Sequence, residues 1–184
     1  MRRKNTKEKI LEASLKLFSQ KGIRETTIKD IAKEVGVTEG AIYRHLESKE
    51  EIVLGLFKTY SEDLYNRLVS AFRGEASFER VFHKTISAFL SFCFKKSLRL
   101  KYLNLFHYLK PEDIGKFSPL PRDALLKLIE EGIRQGRVKV KKDYALAVLV
   151  GTLERVFILT ETGLLKREEV RAEEVAYIIG KALS

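Results

Sequence analysis

Apolar residues recur at helical spacing along nearly the whole chain, and glycine, proline and capping residues mark the breaks between the periodic segments. The first segment predicts a helix over residues 5–20, in which Asn5 and Glu8 form a capping pair. Gly22 follows it and, having no Cβ, can adopt the left-handed conformation that ends a helix. Later segments have the same spacing, so we expect an all-α chain of about nine helices.

Two short helices are predicted next, with a glycine between them. Thr27 forms a capping box with Asp30 at the start of the second helix, and Gly36 interrupts that helix. Thr38 is a good N-cap for a third helix that runs to about Leu46. A capped helix, a glycine turn and another capped helix are the arrangement of a helix-turn-helix motif.

Six longer helices are predicted after this motif. Ser48 and Glu51 form a capping box where the fourth helix begins, and Gly74 closes that helix after residue 73. The others are expected at residues 78–94, 98–109, 124–135, 144–161 and 167–183, with Asp143 as the cap of the fourth of these five. Residues 111–121 hold all three prolines and are predicted as a loop. The helix over residues 144–161 is apolar nearly all round, so it must be covered on more than one side.

The charge balance points to a polyanionic partner. A formal net charge of +10 attracts nucleic acid or an anionic membrane before any specific contact forms. Residues 1–50 contain 12 basic and 8 acidic residues, so they account for +4 of this charge and the remainder for +6. Because the excess is spread along the chain, it does not locate a DNA-binding face.

The chain carries no signal for an oxidising compartment or a membrane. Its one cysteine, Cys93, excludes an intrachain disulfide and a zinc site built on several thiolates. The basic N-terminus is followed by an amphipathic segment, which is not the pattern of a signal peptide. The longest apolar stretch, residues 144–153, is far short of the roughly 20 residues of a membrane span. We expect a cytoplasmic protein with no membrane contact.

The helix-turn-helix motif suggests which residues contact DNA, because its second helix enters the major groove with its N-terminal residues toward the bases. Thr38, Glu39 and Arg44 are the candidates for reading base edges, although Glu39 could equally favour the helix dipole. Gly40 lets the backbone approach the DNA closely. The candidates for phosphate contacts are Tyr43, His45, Lys49 and Thr27, the last two at helix N-termini.

The same segment resembles the DNA-binding domain of the tetracycline-repressor (TetR) family of bacterial regulators. The residues that match the family pattern are Phe18, Gly22, Thr26, Thr27, Ile31, Ala32, Val35, Gly36, Val37, Gly40, Ile42, Tyr43, His45, Lys49 and Glu50. One departure is Leu46, where the family usually has phenylalanine. An aliphatic side chain such as leucine can take the place of phenylalanine in the core. The motif match covers about the first 55 residues, and beyond it only the helical layout and length agree.

The resemblance implies two domains: a helix-turn-helix domain at residues 1–47 and a helical effector-binding and dimerisation domain at residues 48–184. It also implies a homodimer in which the last two helices, about residues 144–161 and 167–183, pack against their copies as a four-helix bundle. The apolar character of residues 144–161 independently favours such burial.

Polar and aromatic groups within the later helices are candidates for lining the implied effector cavity. They are His83, Phe89, Tyr102, Phe106, His107 and Glu154. Each has an alternative role: Glu154 can belong to the dimer seam, the phenylalanines to the core, and each histidine to an ordinary interior or surface position.

These observations predict a ligand-responsive DNA-binding transcriptional regulator, a repressor released from a palindromic operator by a small and mostly apolar effector. The alternative is an architectural DNA-binding protein with weak sequence preference and no effector. An enzyme is disfavoured because the sequence has no nucleophile–base pair with an orienting group, no phosphate-binding glycine loop and no metal cluster. No cofactor and no metal are expected.

Overall fold

The computed structural model describes residues 5–184, which form nine α-helices, two short 3-10 helices and no strand. The α-helices are α1 (Thr6–Lys21), α2 (Ile28–Val35), α3 (Glu39–Tyr43), α4 (Lys49–Ser70), α5 (Phe78–Lys95), α6 (Ser97–Leu109), α7 (Pro121–Arg134), α8 (Lys142–Glu161) and α9 (Ala172–Leu183). The all-α prediction is confirmed. The basic residues at positions 2–4 lie outside the described part of the chain.

The helices divide into two compact units. Unit 1 comprises the described residues up to Ser61 together with residues 97–118, and unit 2 comprises residues 62–96 and 119–184. The division falls within α4, and α6 belongs to unit 1 although α5 and α7 belong to unit 2. The functional boundary after residue 47 stays a prediction, because these units are defined by packing alone.

Unit 1 is built around well-capped short helices. Asn5 and Thr27 each form the predicted capping box, with Glu8 and Asp30 respectively. Gly36 ends α2, as predicted, and it does so in the left-handed conformation, with a φ of +77° and a ψ of 37°. Gly22 also ends its helix with a positive φ, +93°, but its extended ψ of 158° differs from the left-handed helical value predicted. The caps satisfy backbone groups that would otherwise lack partners at the helix ends.

Two details of unit 1 differ from the prediction. α3 ends at Tyr43 rather than near residue 46, because the His45 amide bonds the carbonyl of Ile42, three residues back, in a tighter turn. Glu51 donates its backbone N–H to Ser48 as expected, but its carboxylate accepts a hydrogen bond from the Glu47 amide. Only the reciprocal hydrogen bond of the predicted box is therefore displaced, by one residue.

The prolines of residues 111–121 do not produce an irregular loop throughout. Pro111–Lys116 form a 3-10 helix, whose first position suits proline because it needs no N–H donor there. Pro121 occupies the first turn of α7, so that helix begins three residues before the predicted position 124. The Asp123 carboxylate accepts the Leu120 N–H at 2.7 Å and stabilises this earlier start.

Three helix ends in unit 2 also differ from the prediction. α4 ends at Ser70, and the following residues form a turn that leads to Gly74, with a φ of +67°. Asp143 was predicted as an N-cap, but it lies in the first turn of α8, which begins one residue earlier. α9 begins at Ala172 instead of position 167, because Arg167–Glu169 form a separate 3-10 turn.

α8 presents two different faces. Its fully buried side chains recur every four residues, at Ala145, Leu149, Leu153 and Phe157, and α8 packs against α5, α7 and α9. The opposite face is exposed and carries Tyr144, Ala147, Gly151, Arg155 and Ile158. Within residues 5–184 no helix is long and apolar enough to cross a lipid bilayer.

Candidate nucleic-acid interface

The turn between α2 and α3 is fixed by backbone and side-chain hydrogen bonds. The amides of Gly36 and Val37 both donate to the Ala32 carbonyl at 3.0 Å, which completes the end of α2. The Thr38 hydroxyl accepts the Ala41 N–H at 3.2 Å and caps α3. The N-terminal end of α3 is therefore held rigidly relative to α2.

α3 buries one side and leaves the other open to solvent. Ile42 is fully buried and anchors the helix in the core of unit 1. Thr38, Glu39, Gly40, Tyr43, Arg44 and His45 are exposed. The side chains of Glu39, Tyr43 and Arg44 form no hydrogen bond or ion pair with the described residues, so they are available to a partner.

Tyr43 is the largest apolar group on this face, and 52% of its surface is exposed. Gly40 is open as well, since a Cβ there would lie 4.0 Å from the Thr38 hydroxyl and close to nothing else. Glycine is therefore not needed at position 40 for internal packing.

The side chains of the two candidates at helix starts, Thr27 and Lys49, already form hydrogen bonds within the protein. The Thr27 hydroxyl donates to the Asp30 carboxylate at 2.9 Å and accepts the Asp30 amide at 3.1 Å. Lys49 is half-buried, and its ammonium donates to the Arg24 carbonyl at 3.2 Å. Lys49 thus ties the start of α4 to the chain between α1 and α2, and it positions α4 whether or not it also contacts phosphate.

Asp30 carries a negative charge beside the N-terminus of α2. Hydrogen bonds from the Thr27 amide and hydroxyl, with a smaller contribution from Lys21, lower the pKa of the Asp30 carboxyl. The carboxylate form suits this position, because the helix dipole places partial positive charge at the N-terminus.

Thr26 has a structural role that the motif did not reveal. Its side chain is fully buried, and its hydroxyl donates to the Gly22 carbonyl at 2.8 Å. This bond fastens the end of α1 to the start of α2. A threonine pair is visible in the sequence, but only the fold shows that the first threonine faces inward and the second caps a helix.

Unit 1 also contains a contribution from α6 that local sequence patterns could not indicate. The Phe106 ring stacks on Phe57 with a centroid distance of 3.9 Å, and the buried Tyr102 hydroxyl donates to the Val53 carbonyl at 2.6 Å. Burial is the main cause that raises the pKa of Tyr102, so this hydroxyl stays a donor. α6 therefore packs on the first half of α4.

The six effector candidates are divided between the units. Tyr102 and Phe106 are buried in the packing of unit 1, and His107 is exposed there, with its Nδ1 atom 2.8 Å from the Leu103 carbonyl. In unit 2, Phe89 is buried in the core and Glu154 is partly exposed on α8.

His83, on α5, is the one of the six that lines the cleft of unit 2 described below. Cys93 is fully buried in the same unit. Desolvation is the main cause that raises the pKa of the Cys93 thiol, which makes it a protonated core residue.

Comparison with known proteins gives the same interpretation of the N-terminal segment. The sequence model of bacterial regulatory proteins of the tetR family matches residues 10–56. An uncharacterized HTH-type transcriptional regulator of Bacillus subtilis, YerO, is 44% identical over 54 residues, a match that covers 29% of this chain and 19% of YerO. The chain is thus aligned with about a fifth of that relative's length.

Two comparisons extend over most of the chain. The fatty acid metabolism regulator protein of Bacillus subtilis is 27% identical over 154 residues, covering 79% of this chain and 78% of that protein. The crystal structure of a tetR-family bacterial regulatory protein from Rhodococcus RHA1 superimposes with a TM-score of 0.85 at 16% identity, covering 99% of this chain and 98% of the other. Residues 10–56 thus match the tetR family of bacterial regulatory proteins in sequence, and the chain shares its fold with a solved member of that family.

Proposed function

We propose that this protein is a ligand-responsive transcriptional regulator that binds a palindromic operator as a homodimer. The observation that carries the proposal is the open face of α3, on which Glu39, Tyr43 and Arg44 lack partners within the described residues. A short helix held rigidly by a glycine turn and a threonine cap, with polar groups at its front, fits the major groove.

The side chains have different roles in this proposal. Thr38, Glu39 and Arg44 read base edges, and the guanidinium of Arg44 suits guanine, which presents two acceptors in the major groove. Tyr43 and His45 contact phosphate oxygens, and Gly40 lets the backbone come close to the DNA. Thr27 and Lys49 contribute through helix N-termini, since their own side chains hold internal bonds.

The homodimer is proposed to form through α8 and α9. The exposed face of α8 carries the apolar residues Tyr144 and Ile158 on either side of the small residues Ala147 and Gly151. Small residues at the centre of a helix face let a second helix approach closely, and the apolar ones gain by burial. On α9, Ile178 is 53% exposed and can extend the same surface.

Regulation is proposed to be repression that a small, mostly apolar effector relieves. A dimer must place its two recognition helices about 34–36 Å apart, or a multiple of that spacing, to occupy both half-sites. An effector that binds better to a dimer with another spacing lowers operator affinity by its differential affinity for the two states. The similarity to a fatty acid metabolism regulator makes fatty acids the first compounds to test.

Selection of bound molecules from randomised duplex DNA tests the DNA-binding function. The wild-type protein is compared with Tyr43→Ala and Arg44→Ala, and with Tyr108→Ala and Arg122→Ala as matched controls. The control side chains are also exposed but lie on α6 and α7. We expect an inverted repeat whose recovery falls in the first two variants and not in the controls.

The same experiment separates the proposal from an architectural DNA-binding protein. For such a protein the selection would recover no preferred sequence. Its affinity for every duplex would fall steeply as the salt concentration rises. If the inverted repeat is recovered, its affinity is then measured with and without fatty acids of increasing length. An operator affinity that no apolar compound changes would refute the effector part of the proposal alone.

A further inference from the structure

A cleft of about 410 Å³ lies in unit 2, between the first half of α5, the connection from α7 to α8, and α9. Phe78, Phe82, Val138 and Ala176 give it apolar walls. The rings of Phe78 and Phe82 are stacked, with centroids 5.7 Å apart. The volume falls in the range of about 300–1,000 Å³ that is typical of small-molecule sites.

The two carboxylates at the cleft each have an ionisable partner beside them. Arg137 pairs with Glu79 at 3.0 Å. The Nε2 atom of His83 lies 3.4 Å from a Glu173 carboxylate oxygen. Arg137 therefore offsets the charge of Glu79, whereas the Glu173 side chain is 76% exposed and its charge is screened by solvent.

Lys181 is a cation of the cleft that, unlike Arg137, has no carboxylate partner in the described part of the chain. Its ammonium lies 5.6 Å from the centre of the Tyr177 ring, and it pairs with no carboxylate among the described residues. Both Lys181 and Tyr177 line the cleft. A cation beside an aromatic wall, with no carboxylate of its own, gives the cleft a preference for an anionic group.

The imidazole of His83 supplies a second polar group. Its Nε2 atom is shielded from solvent and has no partner with hydrogen-bond geometry in residues 5–184. A shielded ring nitrogen without a hydrogen bond is unusual in a folded protein and is accounted for when a ligand or a water provides the partner.

We propose that this cleft binds an apolar monocarboxylate. The apolar body lies against Phe78 and Phe82, and the carboxylate interacts with Lys181 and the Nε2 atom of His83. The site is separate from DNA binding: it uses only residues of unit 2, and it exists whether or not its ligand controls the operator.

Calorimetric titration of the full-length protein tests the site, with 2-naphthoate as an aromatic probe and decanoate as an aliphatic one. 2-Naphthalenemethanol is the neutral control, because it keeps the ring system and lacks the charge. A ligand of this size in an open cleft is expected to bind with a dissociation constant on the order of 1 mM or somewhat tighter. The two acids distinguish an aromatic ligand from an aliphatic one.

Three variants locate the binding. Lys181→Ala removes the cation and is expected to weaken binding of the acid roughly fivefold to tenfold. Gly180→Leu is expected to abolish it, because the new side chain starts 3.9 Å from the Phe82 ring, in ordinary contact, and fills the cleft. Lys127→Ala, at an exposed lysine of α7 outside the cleft, is the matched control.

The proposal is supported if at least one acid binds, Lys181→Ala and Gly180→Leu reduce the affinity, and Lys127→Ala leaves it unchanged. It is overturned if neither acid binds at ligand concentrations several times the expected dissociation constant. It is also overturned if 2-naphthalenemethanol binds with the same affinity as 2-naphthoate. Binding that survives Gly180→Leu would also overturn it, since the ligand would then occupy another site. Tyr177→Ala, at a 66% exposed side chain, repeats the test if Gly180→Leu does not fold.

Discussion

The ammonium group of Lys110 donates a hydrogen bond of 2.9 Å to the carboxylate of Glu50, although 60 positions separate the two residues in the chain. Glu50 lies in the first turn of α4, directly after the helix-turn-helix, and Lys110 follows the end of α6. The pair joins α6 to the start of α4 within unit 1. The hydrogen bond to Glu50 is the main cause that raises the pKa of Lys110, so the ammonium group stays charged at neutral pH.

A double-mutant cycle measures what this pair contributes. Both side chains are partly exposed, so their coupling should be about 0.2–1 kcal/mol. We expect Lys110→Met and Glu50→Gln each to lower the free energy of unfolding in urea slightly, and the double variant to lose less than the sum. Additive losses would show that the pair has no net coupling. The Lys142–Glu130 pair of unit 2, at 3.1 Å, is a control for an exposed pair elsewhere.

Contacts of this kind mark the limit of what the sequence could predict. The capping boxes at Asn5 and Thr27 were predictable because each partner is three residues away. The bond from Tyr102 to Val53 spans 49 positions, and no local pattern records it. The role of Asp143 was predicted wrongly because a capping residue one position inside a helix has the same sequence signal as one at its start.

The candidate DNA-binding face was predictable in part for the same reason. A cap, a glycine turn and the spacing of the apolar residues are local, so the position of α3 followed from the sequence. The internal bonds of Lys49 and the burial of Thr26 depend on how α1, α2 and α4 pack together, which the sequence did not indicate.

Thr27→Ala tests the cap of α2. The substitution removes an acceptor for the Asp30 amide, and losses of this type are about 0.5–2 kcal/mol of folding free energy. We expect a lower free energy of unfolding and weaker operator binding, because α2 supports α3. Thr27→Ser keeps the hydroxyl and should behave as the wild type in urea denaturation. Equal losses in both variants would indicate that the methyl group, and not the cap, is responsible.

Asp113 should make the stability of unit 1 depend on pH in the acidic range. Lys116 and Lys110 flank its buried side chain, and the hydrogen bond from Lys116 is the main cause that lowers the pKa of the carboxyl. A lowered pKa in the folded state contributes stability that is present above the unfolded value of 3.8 and is lost as the pH falls through the folded value. We expect Asp113→Asn to flatten this part of the curve of unfolding free energy against pH. An unchanged curve would contradict the assignment.

Cys93 should react with thiol reagents only when unit 2 opens. Its side chain is fully buried, and the raised pKa keeps it a thiol, whereas the thiolate is the reactive form. We expect no reaction with an aromatic disulfide reagent in native buffer over a time in which a small free thiol reacts completely. In urea the rate should rise with the unfolded fraction. Fast reaction in native buffer would mean that the residue is accessible.

Gly151→Leu tests the proposed dimer face without disturbing the protomer. A Cβ at Gly151 would meet no heavy atom within 4 Å, and replacing a helical glycine by leucine favours the helix by up to roughly 1 kcal/mol. Gly55→Leu is the matched control, since Gly55 is also an exposed glycine within a helix and a Cβ there also meets nothing within 4 Å. If α8 packs closely against its copy, the leucine at position 151 keeps the two helices apart. Light scattering after size-exclusion chromatography should then show a dimer for the wild type and Gly55→Leu and a monomer for Gly151→Leu. A dimer in all three would place the interface elsewhere on the protein.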